Sequence, residues 1–184
     1  MEFVILGLLL IRSLSQYDIK AILERKISPF YSPSLGSIQA ALKKLQARGL
    51  TQLQADENSP RGRKLYTITA EGKQHFMTWM LAPFSHGRLE QEATTKLFFL
   101  GLVSPAERLA IVREMTRVLE ANVQEYETAY TEANTRMGSG GTPVHLAEVA
   151  RFQLKTLELG LHDQRSMLAW FTSLAEELEA ETDG

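Results

Sequence analysis

Apolar residues recur at helical spacing over most of the chain, and the stretch 32–48 shows this most clearly. Its apolar positions lie three or four residues apart, at Leu35, Ile38, Leu42 and Leu45. This spacing predicts an amphipathic helix with one buried face. Ser32 and Pro33 predict its first turn, and Gly49 predicts its end, because glycine readily adopts the left-handed conformation that closes helices.

The pattern changes period after this helix. Residues 56–63 are polar, and Leu65–Thr69 is rich in residues that favour strands, so the segment predicts a two-stranded hairpin. Three cations, Arg61, Arg63 and Lys64, lie at its tip. A helix followed by a basic hairpin is typical of a winged helix-turn-helix, in which the helix enters the DNA major groove and the hairpin follows the backbone.

Further helices are predicted on both sides of this pair. Residues 2–12 are apolar enough for a core helix. Ser15 with Asp18 predicts a capping box that starts a second helix, which a short turn joins to the amphipathic helix. After the hairpin, Thr69 is expected to cap a helix that ends before Pro83.

The remainder of the chain predicts long helices. Residues 89–103 predict one apolar helix, and the sequence Ser-Pro-Ala-Glu at 104–107 predicts a capping box that starts the next. A helix from there to residue 137 would be about 50 Å long, and it would need a partner to bury its apolar stripe. The glycine-rich segment 138–141 ends this helix, and Thr142–Pro143 predicts the start of a second long helix.

Both long helices carry apolar residues at coiled-coil-like spacing. Folded back on each other they predict an antiparallel hairpin, and two such hairpins predict a dimeric bundle. The positions assigned to dimerisation are Leu109, Val112, Leu119, Val123, Tyr126, Tyr130, Leu154, Leu157, Leu161, Leu168, Phe171 and Leu178. The acidic tail 176–184 is expected to fray.

The predicted fold is mainly α with a small β-hairpin wing. It comprises a winged helix-turn-helix domain at 1–82, a linker at 83–88 and an α-helical dimerisation domain at 89–184. Charge follows this division, because residues 1–75 carry a net +5 and residues 76–184 a net −7, which together give −2 for the 184 residues.

Cysteine and hydropathy exclude several protein classes. The chain has no cysteine, which excludes a disulfide framework and a Cys-ligated metal site and fits a cytoplasmic location. No apolar run approaches the roughly 20 residues of a membrane helix.

Three segments resemble the winged-helix domain of the PadR transcriptional regulators: ILGLLLIRSLSQYDIKAIL, SLGSIQAALKKLQARGLT and RGRKLYTITAEGKQHFMTWML. The later helices resemble the C-terminal dimerisation domain of the subgroup that includes the AphA-type virulence activators. The resemblance implies a homodimeric DNA-binding regulator of a pseudo-palindromic operator. The chain departs from the family at Gln16, where glycine is usual, and at Gln39-Ala40, where Tyr-Pro is usual, so operator preference cannot be transferred.

The residues predicted to contact DNA lie on the exposed face of the amphipathic helix and on the hairpin tip: Ser34, Ser37, Gln39, Lys43, Lys44, Arg61, Arg63 and Lys64. Clustered cations are the electrostatic footprint of nucleic-acid-binding proteins. A solvated helix face, a helix start and a soluble turn are the simpler alternatives for these residues. The alternative function is a winged-helix module that binds a protein partner, and salt-dependent binding to duplex DNA distinguishes the two.

Motifs for catalysis and for cofactors are missing from the sequence. The histidines lack metal-binding spacing, and no phosphate-binding glycine loop or nucleophile motif occurs. We therefore predict no enzymatic activity, no cofactor and no metal. The aromatic residues of the helical half are predicted either to form core and interface or to line a small-molecule effector pocket; they are Phe98, Phe99, Tyr126, Tyr130, Phe152, Trp170 and Phe171.

Overall fold

The structure, a computed structural model, describes residues 1–27, 34–55, 64–84, 89–140 and 143–183. Contacts divide the chain into two compact units, Met1–Val103 and Ser104–Gly184. The helices are α1 (Glu2–Ile11), α2 (Gln16–Ile22), α3 (Leu35–Ala47), α4 (Ala70–Leu81), α5 (Leu89–Phe98), α6 (Pro105–Gly138) and α7 (Ala147–Asp183). Two strands, β1 (Thr51–Ala55) and β2 (Lys64–Ile68), form an antiparallel hairpin.

The core of the N-terminal unit forms around α1, which packs against α3, α4 and β2. Residues 4–9 of α1 are all buried, as expected for a helix that is apolar on every side. Leu14 exchanges two backbone hydrogen bonds with Tyr66, and this bridge extends the hairpin by one short pairing. The predicted combination of helices with a β-hairpin wing is therefore confirmed.

The sequence located the start of α2 correctly and the start of α3 less well. The capping box of Ser15 and Asp18 at the start of α2 is confirmed. At its other end α2 continues into a π-helical turn at Leu23–Ile27. The predicted first turn of α3 at Ser32 and Pro33 lies outside the described residues. The N-cap is Ser34, because its Oγ accepts a hydrogen bond from the amide of Ser37 at 3.1 Å, so the predicted start at Ser32 was two residues early.

Gly49 closes α3 as predicted. Its φ is 70°, and the amide of Leu50 donates to the carbonyl of Leu45 at 2.9 Å, an arrangement in which a left-handed glycine satisfies the last carbonyls of a helix. The chain leaves this turn directly into β1. At the other end of the hairpin, Thr69 caps α4 through the amide of Gly72, which confirms that prediction too.

The N-terminal unit ends later than the linker predicted at 83–88. Lys96 of α5 is buried, and its Nζ donates to the carbonyl of Ala82 at the end of α4. The ring of Phe99 is buried against the ring of Phe76 at 5.6 Å between centroids. These contacts place α5 in the first compact unit, whereas the sequence assigned residues 89–103 to the helical domain. That segment is also not one helix, because α5 ends at Phe98 and a short 3-10 turn follows at Leu100–Leu102.

The second unit is an antiparallel pair of long helices, α6 and α7, which pack along their lengths. The capping box at the start of α6 is confirmed. One expectation was wrong. The second helix begins at Ala147 after a 3-10 turn at Val144–Leu146, and not at Thr142–Pro143. The helix extends to Asp183, and Glu179 in its last turns forms an ion pair with Arg113 of α6 at 2.8 Å. Fraying of the acidic tail stays a prediction.

Candidate nucleic-acid interface

The exposed face of α3 combines small residues with two lysines. On its apolar face Ile38, Leu42 and Leu45 are fully buried, and Leu35 in the first turn is half-buried. The opposite face is exposed, and its middle is formed by Gly36, Ala40, Lys43 and Ala47 at helical spacing. Lys44 lies at one margin of this face and Gln39 at the other, and both are exposed. The face therefore offers cations and amide groups, and it carries no carboxylate.

The next cation of α3 is engaged within the protein. Arg48 donates to Glu2 of α1 at 3.1 Å, and its guanidinium also lies 3.2 Å from Nε2 of His75 in α4. This arginine ties the end of α3 to two neighbouring helices. Lys43 and Lys44 thus remain the two cations of α3 that project from its outer face.

The two serines predicted to contact DNA hold the start of α3. Ser34 accepts a hydrogen bond from the amide of Ser37, and Oγ of Ser37 donates to the carbonyl of Ser34 at 2.8 Å. Both residues are exposed, so these bonds do not bury them. Their geometry agrees with the helix-start alternative, and DNA contact by either one stays a prediction.

Gln39 contacts a residue outside the set predicted to contact DNA. Its Nε2 donates to Oε1 of Gln16 at 3.2 Å. Gln16 is the first residue of α2, and 23 positions separate it from Gln39 in the chain. No periodicity in the sequence signals such a pair, because the contact depends on how α2 packs against α3.

The wing is described in part. The strands pair from Thr51 with Ile68 to Ala55 with Lys64, so Lys64 lies at the last described rung and is exposed. Arg61 and Arg63 lie outside the described residues, and their predicted position at the hairpin tip stays a prediction.

The residues assigned to dimerisation lie mainly on the faces that α6 and α7 turn toward each other. Four are buried within the single chain, namely Val112, Leu119, Leu161 and Phe171. The other eight are half-buried: Leu109, Val123, Tyr126, Tyr130, Leu154, Leu157, Leu168 and Leu178. Much of the predicted stripe therefore stabilises the hairpin itself, and its contribution to a dimer stays a prediction.

A second apolar stripe on α7 is exposed to solvent. Phe152, Leu159 and Trp170 are 59%, 61% and 51% exposed. They are separated by seven and eleven residues, close to whole helical turns, so they lie along one line of the helix. Lys155 donates to Glu158 at 2.6 Å beside this line, and that hydrogen bond raises the pKa of Lys155. We name Phe152, Leu159 and Trp170 the α7 stripe.

The aromatic residues considered for an effector pocket have separate surroundings. Phe99 belongs to the core of the N-terminal unit, and Phe171 is buried in the helical unit beside the exposed Trp170. An open groove of about 420 Å³ lies near the connection of α6 and α7. Its lining is mostly apolar, includes Met137, Leu146, Val149, Leu154 and Leu157, and contains no aromatic ring.

Two further findings concern the described residues alone. They contain no group of three or more histidine, aspartate or glutamate side chains placed to hold a metal ion. None of their helices combines the length and the apolar character that crossing a bilayer requires.

Comparison with known proteins agrees with this architecture. Residues 5–78 match the model of the transcriptional regulator PadR-like family, and residues 91–179 match the model of the virulence activator alpha C-terminal region. The negative transcriptional regulator PadR of Bacillus subtilis is 22% identical over 177 residues, which cover 95% of this chain and 94% of that protein.

Two solved structures are similar over nearly the whole length of this chain. The structure of Bacillus subtilis PadR in complex with operator DNA is 21% identical, with a TM-score of 0.42 and coverage of 96% and 98% of the two chains. The PadR-like regulator BC1756 from Bacillus cereus is 22% identical, with a TM-score of 0.42 and coverage of 96% and 94%. From the two family matches, the chain belongs to the PadR-like family, whose members are transcriptional regulators and not enzymes.

Proposed function

We propose that this protein is a cytoplasmic, sequence-specific regulator that binds double-stranded DNA as a homodimer. The observation that carries the proposal is the outer face of α3, where Lys43, Lys44 and Gln39 are exposed on a helix held by a buried apolar face. The net +5 of residues 1–75 supports the same partner, since a basic module attracts the phosphate backbone.

The composition of α3 suits the major groove. Gly36, Ala40 and Ala47 leave little side-chain bulk in the middle of the exposed face, so the helix backbone can approach the base edges. Lys43 and Lys44 have the length to reach phosphates on either side of the groove. Gln39 carries an amide, a group that can pair with a base edge.

The hairpin supports a second contact with DNA. Lys64 is exposed at the end of β2, and Arg61 and Arg63 precede it in the sequence. In winged helix-turn-helix proteins a basic hairpin of this kind lies along the backbone, where its cations contribute affinity without reading sequence. We therefore assign these three cations to phosphate contacts.

The α7 stripe supports a homodimer. Three large apolar side chains, more than half exposed on one line of a long helix, form a surface that a second copy can cover. In a two-fold arrangement of antiparallel α7 helices, the aromatic ends of the two stripes would meet, Phe152 of one chain with Trp170 of the other. Pairs of unlike charge, such as Lys155 with Glu158, flank the stripe on each chain and suit a polar rim.

A dimer would bind the operator more tightly than either copy alone, because it makes two weak DNA contacts at once. Each copy brings one α3, so a pseudo-palindromic operator presents a site to each, and binding of the second unit benefits from a high effective concentration. A small-molecule effector that alters the helical unit would then change operator affinity. The effector is a proposal, and the open groove between α6 and α7 is one place where an apolar molecule fits.

The test is retention of genomic DNA by the full chain, followed by sequencing of the retained fragments. We expect enrichment of a two-fold sequence and binding that weakens as salt rises. Lys43→Ala with Lys44→Ala should weaken binding to every sequence and leave thermal stability nearly unchanged, because phosphate contacts carry affinity. The matched control replaces Arg113 and Arg117, two exposed cations of α6 outside the groove and the α7 stripe, and should bind as the wild type does.

Three results would contradict the proposal. Binding that salt does not weaken, or the absence of any enriched sequence, would favour the alternative function, a winged-helix module for a protein partner. Equal weakening in the Lys43/Lys44 variant and in the control would show that net charge matters and the face of α3 does not.

A further inference from the structure

The contact between Gln16 and Gln39 joins the start of α2 to the outer face of α3. Nε2 of Gln39 lies 3.2 Å from Oε1 of Gln16 and donates to it. Gln39 is exposed and Gln16 is half-buried, so the pair lies at the rim of the proposed interface and not in the core. A hydrogen bond between two surface amides holds a side chain that would otherwise sample many rotamers.

Gln16 is itself held in place by the helix that it begins. Ser15, the preceding residue, is buried and forms a capping box with Asp18, with the amide of Ser15 donating to the carboxylate at 2.9 Å and the amide of Asp18 donating to Oγ of Ser15 at 3.2 Å. The backbone of Gln16 therefore has a defined direction. Its Oε1 lies within hydrogen-bonding distance of Gln39 in α3.

The bond leaves the base-reading groups of Gln39 available. A primary amide has two N–H groups and a carbonyl oxygen, and Gln16 takes one N–H. The other N–H and Oε1 form the pair that matches adenine in the major groove, where N7 accepts and the N6 amino group donates. When the N–H trans to Oε1 is the one donated to Gln16, the contact restrains the amide plane and leaves Oε1 and the N–H cis to it free to face the base.

We propose that Gln39 reads the adenine of an A·T base pair and that Gln16 is the positioning residue that orients its amide. This inference rests on the proposed DNA binding and adds to it one specificity-determining pair. Lys43 and Lys44 would set affinity, whereas Gln16 and Gln39 would set the base preference at one position of each half-site.

The experiment is selection from a randomised duplex DNA library by the full chain and its variants, with sequencing of the bound pool. Gln39→Ala should reduce the preference for A·T at one base pair by roughly tenfold. Gln16→Met keeps the length of the side chain and removes the acceptor, so it should reduce the preference at the same base pair by several-fold. Gln16→Glu keeps an acceptor for Nε2 of Gln39, so it should retain that preference, although its added negative charge should weaken binding to all sequences.

The outcomes separate this inference from the proposed function. If the wild-type chain enriches no sequence, both are overturned. If it enriches a sequence and Gln16→Met leaves the profile unchanged, or flattens every position equally, the positioning role is overturned while DNA binding stands. A reduced preference at a G·C pair in Gln39→Ala would overturn the assignment to adenine. Urea unfolding midpoints of the wild type and all variants show whether each variant is folded under the conditions of the selection.

Discussion

Gly7 in the middle of α1 lies directly against the ring of Phe99. A Cβ atom added to Gly7 would lie 2.6 Å from Cζ of Phe99 and 2.7 Å from both Cε atoms, closer than such contacts occur. Phe99 is itself buried, with its ring edge-on to Phe76. The glycine therefore lets the segment after α5 close over α1, and this contact belongs to the core of the N-terminal unit.

Gly7→Ala should destabilise the protein. Alanine favours a helix over glycine by about 1 kcal/mol, but overpacking against a buried ring costs about 1–3 kcal/mol, so the free energy of unfolding should fall. Urea unfolding measures the difference. Gly36→Ala in α3 is the matched control, because its Cβ would meet only Oγ of Ser34 at 3.8 Å and should be neutral or slightly stabilising. An equal response of the two variants would contradict this account.

The N-terminal unit should be stable alone when it ends after Val103 and much less stable when it ends at Pro83. The shorter fragment lacks Phe99 and Lys96, which are buried in that unit. Removal of one buried phenylalanine costs about 2 kcal/mol in apolar burial alone. We expect a cooperative urea transition for residues 1–103 and a much weaker one for residues 1–83. Equal stability of the two fragments would restore the predicted boundary at 83–88.

Part of the stability that the helical unit loses at acid pH should come from Glu107. Hydrogen bonds from the side chain and then from the amide of Ser104 lower the pKa of Glu107. A carboxyl group with a lowered folded pKa contributes stability above its unfolded pKa of about 4.3, and the contribution disappears as pH falls through the folded value.

The wild type should therefore lose more stability than Glu107→Gln between about pH 6 and pH 3. Glu132→Gln, the same change at an exposed carboxylate of α6, is the control and should retain the acid sensitivity of the wild type. Urea midpoints across this pH range measure the effect. Identical pH profiles for the wild type and Glu107→Gln would show that the cap contributes nothing measurable.

The wing should contribute to the salt dependence of DNA binding. Replacement of Arg61, Arg63 and Lys64 by alanine should reduce the slope of log affinity against log salt by about 0.9 for each phosphate that these cations neutralise. Folding stability should change little, because Lys64 is exposed. Binding titrations at several salt concentrations test this, and an unchanged slope would exclude these cations from the backbone.

The α7 stripe should be required for the dimer and dispensable for the hairpin. Leu159→Glu places a charge in the centre of the stripe, where the wild-type side chain is 61% exposed, so the chain should fold and yet sediment as a monomer. Ala121→Glu, at an exposed position of α6, should sediment as the wild type does. A dimeric Leu159→Glu chain would mean that another surface joins the two copies.

Local signals in the sequence were sufficient for most of the elements. Capping boxes at Ser15 and Ser104, the cap at Thr69 and the left-handed Gly49 depend on residues within a few positions of one another, so their chemistry can be read along the chain. The buried face of α3 follows from helical spacing for the same reason. The sequence also indicated the family, since its motifs are local.

Tertiary contacts decided what spacing could not. The apolar stripes of α6 and α7 predict burial without specifying the partner, and the structure uses many of these positions inside one chain. Lys96 reads as a surface cation but is buried at the carbonyl of Ala82, which moves the end of the N-terminal unit to Val103. In the sequence Gln16 and Gln39 are two unrelated departures from the family, and packing of α2 on α3 makes them one hydrogen-bonded pair. Each of these relationships joins residues far apart in the chain, and only the packing of helices brings them within bonding distance.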